Sequence, residues 1–446
     1  MDLSKEFVSG QLQYVFNNLS EAVCVTNRTG VLLYVNPAAK KLVHVTETSG
    51  HTKKIWEYIP FVENNDVLIQ LFIDAVSQGK HNRQSLITYE NKDGKVFKLR
   101  VSLNYTQDEG GILIIIMNDL TDFLRVNSAF ARYTSPQIAE YVLGSPEGEL
   151  QGGESREVTI LMSDLRDFTG MVAGLEPDRL VLLVNHYFEA MVEIIEKRKG
   201  TVIEFLGDGI FAVFGAPKED EKHASNAVKC ALEMQNRMDD VNEWNRQNGF
   251  PELFMGIGIN SGQAVVGNIG SRLKMKYGCM GNTVNLAGRT ESFTVGGQIY
   301  VTEYTAALIG DALKYRDVHA VRVKGKKEPF NIYDVKGIGT KLHLRKKERT
   351  VWMQEHDCAY ETTVFFVTDK VVDGAGMPGV IRRISKDHRY ALLHTGGRLP
   401  VMQNIVLTIC GELFAKVTDF RDDDNIICFT SEPEGLEDWI GSLAEP

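Results

Sequence analysis

Three short stretches of this chain place chemically active side chains next to apolar segments, and they constrain its fold more than any bulk property. VTILMSDLRDFTG ends an apolar run at Asp164, and EFLGDGIFAVFG puts Asp208 in a glycine-flanked turn between two hydrophobic segments. CMGNTVNLAGRT carries Asn285 and Arg289 four residues apart. A short apolar run bounded by polar residues is typical of a buried strand. We therefore expect a sheet that presents two carboxylates, and a separate element that presents an amide and a guanidinium.

The two aspartates are suited to divalent metal. Mg²⁺ prefers oxygen ligands and usually takes one or two carboxylates together with substrate phosphates. Two acids brought together can hold two ions about 4 Å apart, one activating a hydroxyl and one bridging phosphates. Either aspartate alone would be an ordinary turn residue, and only the joint pattern predicts a metal site.

The amide and the guanidinium are predicted to share one helical face. Gly281 and Asn282 indicate a helix start, so that Asn285 and Arg289 project together. Such a pair can orient a ribose and stabilise charge on a pentavalent phosphorus. Gly288 costs about 1 kcal/mol inside a helix, which is tolerable where another group must approach closely.

Bulk composition indicates a soluble multidomain chain. At 446 residues it is too long for one core, and its 43% hydrophobic and 24% charged residues are ordinary. A net charge of −10 with scattered basic residues argues against nucleic-acid binding. The six cysteines show no CxxC spacing, which predicts reduced thiols. With no signal-peptide pattern and no apolar run long enough for a bilayer, we expect a cytoplasmic protein without a membrane span.

The pattern predicts an α+β chain of four segments. Residues 1–125 alternate short strands and helices, and residues 126–153 read as helix, break, helix and a glycine-rich tether. Residues 154–338 mix strands with long helices, which predicts an α/β sandwich. Residues 339–446 contain many short strands, which predicts a small antiparallel barrel.

Residues 1–125 resemble a PAS sensor domain, through YVNPAAKKL near the start and MNDLTDFLRV at the end. Cys24 stands alone on a predicted strand, without the flavin-adduct motif of light sensors. His44, His51 and His81 are read as solvated or core residues rather than haem ligands. The ligand of this domain is therefore unknown, and the segment after it is interpreted as a signalling helix that pairs across a dimer.

Residues 154–338 resemble the catalytic domain of class III nucleotidyl cyclases. The matching stretches, in the family's order, are SDLRDFT, EFLGDGIFAVFG, GINSGQAVVGNIGS, YGCMGNTVNLAGR and VKGKKEPFNIYDV. The resemblance implies that Asp164 and Asp208, assisted by the backbone carbonyl of Leu165, bind two Mg²⁺ or Mn²⁺ ions per site. It implies that Asn285 positions the ribose and that Arg289 stabilises the transition state.

The same resemblance implies phosphate contacts and an assembly. Lys324 would meet the terminal phosphates, with help from Arg272 or Lys274. Sites in this family lie between two catalytic domains, with the metal acids from one and the amide–guanidinium pair from the other. Since this chain carries both halves, we expect a homodimer with two complete sites.

The resemblance to class III cyclases also implies that two positions select the purine. Glu204 lies four residues before Asp208, where adenylate-forming relatives carry lysine, and Gly278 lies three residues before Gly281. A carboxylate can accept the N1–H and N2–H₂ donors of guanine, so Glu204 favours GTP, whereas Gly278 only leaves space. The alternative interpretation of Glu204 is a solvent-facing residue at the end of a strand.

The C-terminal segment resembles the opening of PilZ domains, which bind cyclic di-GMP, because LRKKERTV contains Arg345 and Arg349. The second PilZ motif is not intact: RRISKDH keeps Ser385, with Arg383 and His388 at the flanking places. A solvated basic linker is the alternative reading.

These observations predict a sensor-regulated guanylate cyclase that makes cyclic GMP and pyrophosphate from GTP. Two alternatives remain open at this level: an adenylate cyclase that uses ATP, and a catalytically silent module that binds nucleotide. A third treats the chain as a cyclic-dinucleotide effector whose output is cyclase activity.

Overall fold

A computed structural model describes most of the chain. The described residues are 14–45, 52–78, 83–106, 111–172, 174–323, 328–345, 356–368, 371–385, 389–409 and 411–430. The chain forms two compact units, Met1–Tyr133 and Thr134–Pro446.

The first unit contains a five-stranded antiparallel sheet in the order β2-β1-β5-β4-β3. Its strands are β1 (Ala22–Asn27), β2 (Leu32–Val35), β3 (Arg83–Glu90), β4 (Val96–Thr106) and β5 (Ile112–Asp119). The helices are α1 (Pro37–Val43), α2 (Asp66–Gln78) and α3 (Thr121–Tyr133), with 3₁₀ turns at Ile55–Tyr58 and Glu63–Asn65. Alternate residues of β5 are buried because one face of the sheet packs on the core. In contrast, α3 buries none of its residues.

The second unit begins with a nine-stranded sheet whose main path is β12-β13-β11-β9-β6-β8-β7, with β10 paired to β9 and β14 to β13. Its strands are β6 (Gly152–Leu165), β7 (Gly200–Leu206), β8 (Gly209–Phe214), β9 (Met255–Ser271), β10 (Lys274–Met280), β11 (Ile299–Thr302), β12 (Leu313–Val321), β13 (Phe330–Ile338) and β14 (Leu342–His343). Its helices are α4 (Pro136–Gly144), α5 (Phe168–Val172), α6 (Pro177–Lys197), α7 (His223–Gln247), α8 (Asn282–Ser292) and α9 (Glu303–Ile309). Short 3₁₀ turns lie at Pro146–Glu149 and Gly310–Ala312.

Both faces of this sheet are covered, because successive side chains of its strands point to opposite sides. On one face, Leu161 of β6 lies in a core shared with α6 and α7. On the other face, Ile160 lies in a core that includes Ile138 of α4 and Ala287 of α8. The α/β sandwich predicted from the sequence is confirmed.

The last six described strands form a closed barrel in the order β15-β16-β17-β20-β19-β18, as the C-terminal strand pattern predicts. Its strands are β15 (His356–Thr368), β16 (Val371–Ile384), β17 (Tyr390–His394), β18 (Asn404–Thr408), β19 (Glu412–Arg421) and β20 (Asp424–Phe429). This closed barrel fits the predicted PilZ-like domain.

The segment between the PAS-like and catalytic parts differs from the sequence prediction in one respect. Ser135 caps α4, its side chain accepting from the Ile138 N–H, and Pro136 lies in the first turn, as predicted. The predicted tether is wrong at Gly152 and Gly153, which already belong to β6. A Cβ at Gly153 would lie 3.0 Å from the carbonyl oxygen of Val266 on the neighbouring strand, so close strand pairing accounts for this glycine.

Among the described helices, none has both the length and the apolar character needed to cross a membrane. The cysteines whose side chains are described are free thiols, and all are buried: Cys24, Cys230, Cys279 and Cys428.

Candidate active site

The two predicted metal acids meet at one edge of the sheet. Strand β6 ends at Leu165, and Asp208 lies in the turn that joins β7 to β8. Because β8 pairs with β6, that turn lies beside Asp164. The Leu165 N–H donates to Asp208 Oδ2 at 3.2 Å. A Cβ at Gly209 would lie 2.7 Å from the carbonyl oxygen of Ser163, so the glycine after Asp208 allows this approach.

The electrostatics of this pair suit a cation. Burial raises the pKa of Asp164 to about 6, and the neighbouring carboxylate of Asp208 raises it further, against the lowering effect of Arg166. Two carboxylates held together destabilise each other's charge unless a cation lies between them. In the described part of the chain no cluster of three or more histidine, cysteine, aspartate or glutamate residues forms. A site of two carboxylates fits Mg²⁺ or Mn²⁺, which complete their shells with water and substrate phosphate.

Arg166 connects the strand of the metal acids to the neighbouring helix α8. Its guanidinium lies 3.7 Å from Asp164 Oδ2 and also forms an ion pair with Glu291 of α8. Both side chains of the Arg166–Glu291 pair are largely buried, with 20% and 13% exposure. Burial lowers the pKa of Arg166 below its usual range, while nearby Asp164 and Asp208 oppose that shift. Sequence reasoning did not identify this pair, since its members lie on separate elements.

Helix α8 begins as predicted, after Gly281 at φ 136°, and carries Asn285 and Arg289. Asn285 is exposed and Arg289 is half-buried. Two bonds hold the first turn: Thr283 Oγ1 donates to the carbonyl of Gln263 at 2.6 Å, and the Asn260 amide donates to the carbonyl of Thr283 at 2.9 Å.

Glycines on β9 allow α8 to lie directly against the sheet. A Cβ at Gly258 would lie 2.1 Å from the backbone nitrogen of Glu291, and one at Gly256 would lie 1.9 Å from Thr294 Oγ1. Because residues two apart share one face of a strand, both glycines face the helix. The spacing in MGIG is the sequence signal that could have predicted this contact.

The predicted purine selectors lie on β7 and β10, two strands that approach each other without pairing. Glu204 is exposed on β7, and Gly278 is buried on β10. The sequence reasoning missed Lys276, whose Nζ donates to Glu204 Oε2 at 2.7 Å. Lys276 and Gly278 stand two apart on β10, which is the alternation that would have placed both residues on one face. Glu204 therefore presents a hydrogen-bond acceptor, and Lys276 presents a donor beside it.

The remaining predicted residues lie elsewhere or outside the described part of the chain. Arg272 and Lys274 are exposed where β9 turns into β10. Arg345 pairs with Asp239 of α7 at 3.5 Å, which ties it to the catalytic unit. Ser385 Oγ accepts from the backbone of Tyr390 at 2.8 Å. Five residues named in the sequence analysis lie outside the described ranges: Lys324, Arg349, His388, His51 and His81.

Family models identify both large parts of the chain. Residues 150–337 match the model described as the adenylate and guanylate cyclase catalytic domain, and residues 10–120 match the PAS fold. The guanylyl cyclase Cya2, whose crystal structure is known, is 45% identical, with 44% of this chain covering 100% of that chain at a TM-score of 0.43. The matched segment is a member of the adenylate and guanylate cyclase family. Residues 150–337 are therefore the cyclase domain of this chain, and the PAS domain precedes them.

Three further relatives of the cyclase domain are named adenylate or adenylyl cyclases, whereas Cya2 is named a guanylyl cyclase. Adenylate cyclase 1 of Rhizobium meliloti is 32% identical over 211 residues, which are 47% of this chain and 32% of that protein. Adenylate cyclase of Anabaena cylindrica is 28% identical over 258 residues, which are 53% of this chain and 50% of that protein. The solved adenylyl cyclase CyaB from P. aeruginosa is 34% identical, with 43% of this chain covering 99% of that chain at a TM-score of 0.41. The chain thus spans half or less of the length of these two curated relatives.

Proposed function

We propose that this chain is a guanylate cyclase that converts GTP to 3′,5′-cyclic GMP and pyrophosphate. The observation that carries the choice of GTP is the Glu204 carboxylate, four residues before Asp208, in an ion pair with Lys276. Guanine presents O6 beside N1–H and N2–H₂. A carboxylate that accepts from the two N–H groups and an ammonium that donates to O6 would match all three.

The reaction is an intramolecular displacement at the α-phosphorus. The ribose 3′-oxygen forms a bond to phosphorus as its hydroxyl proton passes to solvent water, and the bond from phosphorus to the bridging oxygen breaks to release pyrophosphate. Divalent ions held by Asp164, Asp208 and the Leu165 carbonyl would lower the pKa of the hydroxyl and neutralise phosphate charge. With a pKa of about 6, Asp164 is ionised at neutral pH and available as a ligand.

The other roles belong to side chains of α8. Asn285 is exposed on the helix, so its amide is available to orient the ribose. Arg289, one helical turn further, would place its guanidinium against the oxygens of the phosphorus under attack. Lys324, with Arg272 or Lys274, is proposed to bind the terminal phosphates.

The proposed assembly is a homodimer in which the metal acids of one copy face the Asn285–Arg289 pair of the other. Its support is that one chain contains both halves of the site, and a two-fold arrangement then completes two sites at once. The exposed helix α3, which buries no residue, is the proposed signalling helix. Its exposed apolar residues include Phe123, Val126 and Tyr133.

One observation favours a second candidate, an adenylate cyclase. Lys276 could donate to N1 of adenine while Glu204 accepts from its N6 amine, so the same pair can read either base. Adenine uses two of the three complementary contacts, and guanine uses all three, which is why GTP is preferred here. A mismatched polar edge can reduce turnover by several orders of magnitude.

A product assay separates the candidates. The purified full chain is incubated with GTP or ATP, each with Mg²⁺ and with Mn²⁺, and the cyclic nucleotides are quantified by chromatography. Cyclic GMP as the main product supports the proposal, and cyclic AMP as the main product makes the adenylate alternative correct. No product from either nucleotide would favour the catalytically silent module over both cyclases. The ligands of the PAS domain and of the barrel, including cyclic di-GMP, are separate questions that direct binding measurements address.

A further inference from the structure

The C-terminal barrel places a buried lysine against the end of the helix that carries Asn285 and Arg289. Lys416 Nζ of β19 donates to the carbonyl of Ser292 at 2.7 Å and to that of Thr294 at 3.3 Å. Ser292 is the last residue of α8. Only 5% of Lys416 is exposed, so this side chain leaves its own domain and ends inside the cyclase domain.

This contact answers a physical need of the helix. The last carbonyls of an α-helix have no partner within the helix, and a cation at that end also interacts favourably with the helix dipole. Burying a lysine is costly unless its ammonium is hydrogen-bonded. Here burial lowers the pKa of Lys416 to about 7, and the positive charge of Arg166 contributes. The hydrogen bonds to the two carbonyls therefore offset the unfavourable burial of the Lys416 ammonium and its repulsion from Arg166.

A second cation of the barrel contacts Phe254, the residue before β9. The guanidinium of Arg389 lies 3.4 Å from the centre of the Phe254 ring. The carbonyl of Phe254 in turn accepts from the backbone N–H of Arg166 at 2.7 Å. Arg166 is two residues from Asp164, so Phe254 links this barrel contact to the end of the strand that carries Asp164.

An apolar cluster completes the contact. Met402 of the barrel is buried in one cluster with Leu286 of α8, and Val401 and Phe293 pack against the same cluster. The barrel thus contacts α8 along its side as well as at its end, while Thr283 anchors the first turn on the cyclase sheet.

We propose that Lys416 is a positioning residue for cyclisation, and that the barrel is part of the catalytic assembly because it fixes the C-terminal end of α8. The inference rests on the proposed cyclase function for its kinetic consequence, since Asn285 and Arg289 act from this helix. A shift of α8 would move both side chains relative to the phosphorus, and small displacements of catalytic groups are costly in rate.

The experiment replaces Lys416 by methionine in the full chain. Lys416→Met keeps most of the length and the apolar character of the stem but removes the donor to both carbonyls. We expect kcat to fall about tenfold, because a displaced catalytic helix impairs the transition state more than substrate binding. KM should stay within about twofold, because few of the substrate contacts come from α8. The matched control is Arg398→Met, which removes a cation that stacks on Phe420 inside the barrel at 5.1 Å; its kcat should equal that of the wild type.

A second measurement does not depend on activity. Hydrogen–deuterium exchange at residues 290–295 should become at least about tenfold faster in Lys416→Met and stay unchanged in Arg398→Met, because the last turn of α8 loses its anchor. If the wild type makes no cyclic nucleotide, the proposed function fails, yet this exchange measurement still tests the anchoring. A wild-type kcat in folded Lys416→Met, with the wild type active, overturns the inference and leaves the cyclase function intact.

If Lys416→Met does not fold, Arg389→Leu replaces it as the test. Arg389 is only half-buried, so its substitution removes the contact with Phe254 at little cost to folding. A fall in kcat of at least about threefold, with unchanged KM, supports the role of the barrel contact. A wild-type kcat in Arg389→Leu overturns it.

Discussion

Arg166 and Glu291 form a largely buried ion pair that joins the strand ending at the metal acids to helix α8. We expect Glu291→Gln to lower the free energy of unfolding by about 3 kcal/mol, because it leaves the guanidinium of Arg166 buried without this partner. Urea unfolding followed by circular dichroism measures the change. The control is Asp240→Asn, which breaks an exposed ion pair with Arg237 and should cost less than about 1 kcal/mol. Equal losses in the free energy of unfolding would show that the buried pair stabilises the fold no more than the exposed pair does.

The same substitution should also weaken metal binding. Arg166 lies 3.7 Å from Asp164 Oδ2, and without Glu291 its guanidinium is freer to pair with the carboxylate that the metal requires. We expect the Mg²⁺ concentration for half-maximal activity to rise about fivefold, because the metal must then displace the guanidinium of Arg166. A metal titration of activity at saturating nucleotide measures this. An unchanged metal requirement would mean that Arg166 stays away from Asp164.

Metal dependence should vary with pH through Asp164. Its pKa is raised to about 6, so protons compete with metal for this carboxylate below that pH. At subsaturating Mg²⁺ we expect activity to fall as the pH drops through 6, and added Mg²⁺ should move the midpoint to lower pH. A midpoint that does not respond to Mg²⁺ would assign the loss to another group.

The metal-free protein should show the opposite trend in stability. Because the folded-state pKa of Asp164 lies above the ordinary aspartate pKa of 3.8, the folded protein binds this proton more tightly than the unfolded chain does. Stability from Asp164 is therefore greatest below pH 4 and is lost as the pH rises toward 6. Thermal unfolding in EDTA across this range measures the effect. In Asp164→Asn, this part of the pH dependence should disappear, and its persistence would exclude Asp164 as the source.

The Glu204–Lys276 pair should set the choice of purine. Glu204→Lys removes the carboxylate that accepts from guanine and places two ammonium groups side by side. We expect the ratio of kcat/KM for GTP to that for ATP to fall by at least about tenfold. Lys276→Met is the matched change at the partner, and it should lower the ratio less, because the two N–H contacts of guanine remain. Unchanged GTP turnover in Glu204→Lys would show that this carboxylate does not face the base.

The close approach of α8 to β9 should tolerate no side chain at Gly258. A Cβ there would lie 2.1 Å from the backbone nitrogen of Glu291, so Gly258→Ala must push the helix away. We expect a loss of stability of about 2 kcal/mol and a fall in kcat. Gly174→Ala, where a Cβ would meet nothing within 4 Å, is the control and should be nearly neutral. Wild-type kcat in Gly258→Ala would mean that the helix position is not critical.

Much of the site could be predicted from local patterns. An apolar run placed Asp164 at a strand end, glycines placed Asp208 in a turn, and Gly281 marked the start of α8. These features depend on neighbouring residues, which is why a single sequence contains them. The succession of strands and helices along the PAS domain and a small antiparallel barrel at residues 339–446 were also predictable, because alternation and turn residues repeat along each segment.

What the sequence could not supply were the contacts between distant elements. Lys276 reaches Glu204 across 72 positions, and Lys416 reaches Ser292 across 124. Such pairs depend on the curvature of the sheet between β7 and β10 and on how the barrel packs against α8, and no local sequence pattern determines either. Gly152 and Gly153 show the same limit. The local pattern predicted a tether, whereas the two glycines begin β6 and allow close pairing with the neighbouring strand.

The most direct measurement of the shared dimeric site mixes two inactive variants. Asp164→Ala lacks a metal acid and Arg289→Ala lacks the proposed transition-state group, so each homodimer should be inactive. In a mixed dimer, one site receives both defects and the other receives neither. After exchange of subunits at equal amounts, we expect about a quarter of the wild-type activity per total protein, because half of the dimers are mixed and each has one intact site. A mixture as inactive as either variant, with subunit exchange demonstrated, would mean that the two halves of the site do not come from different copies.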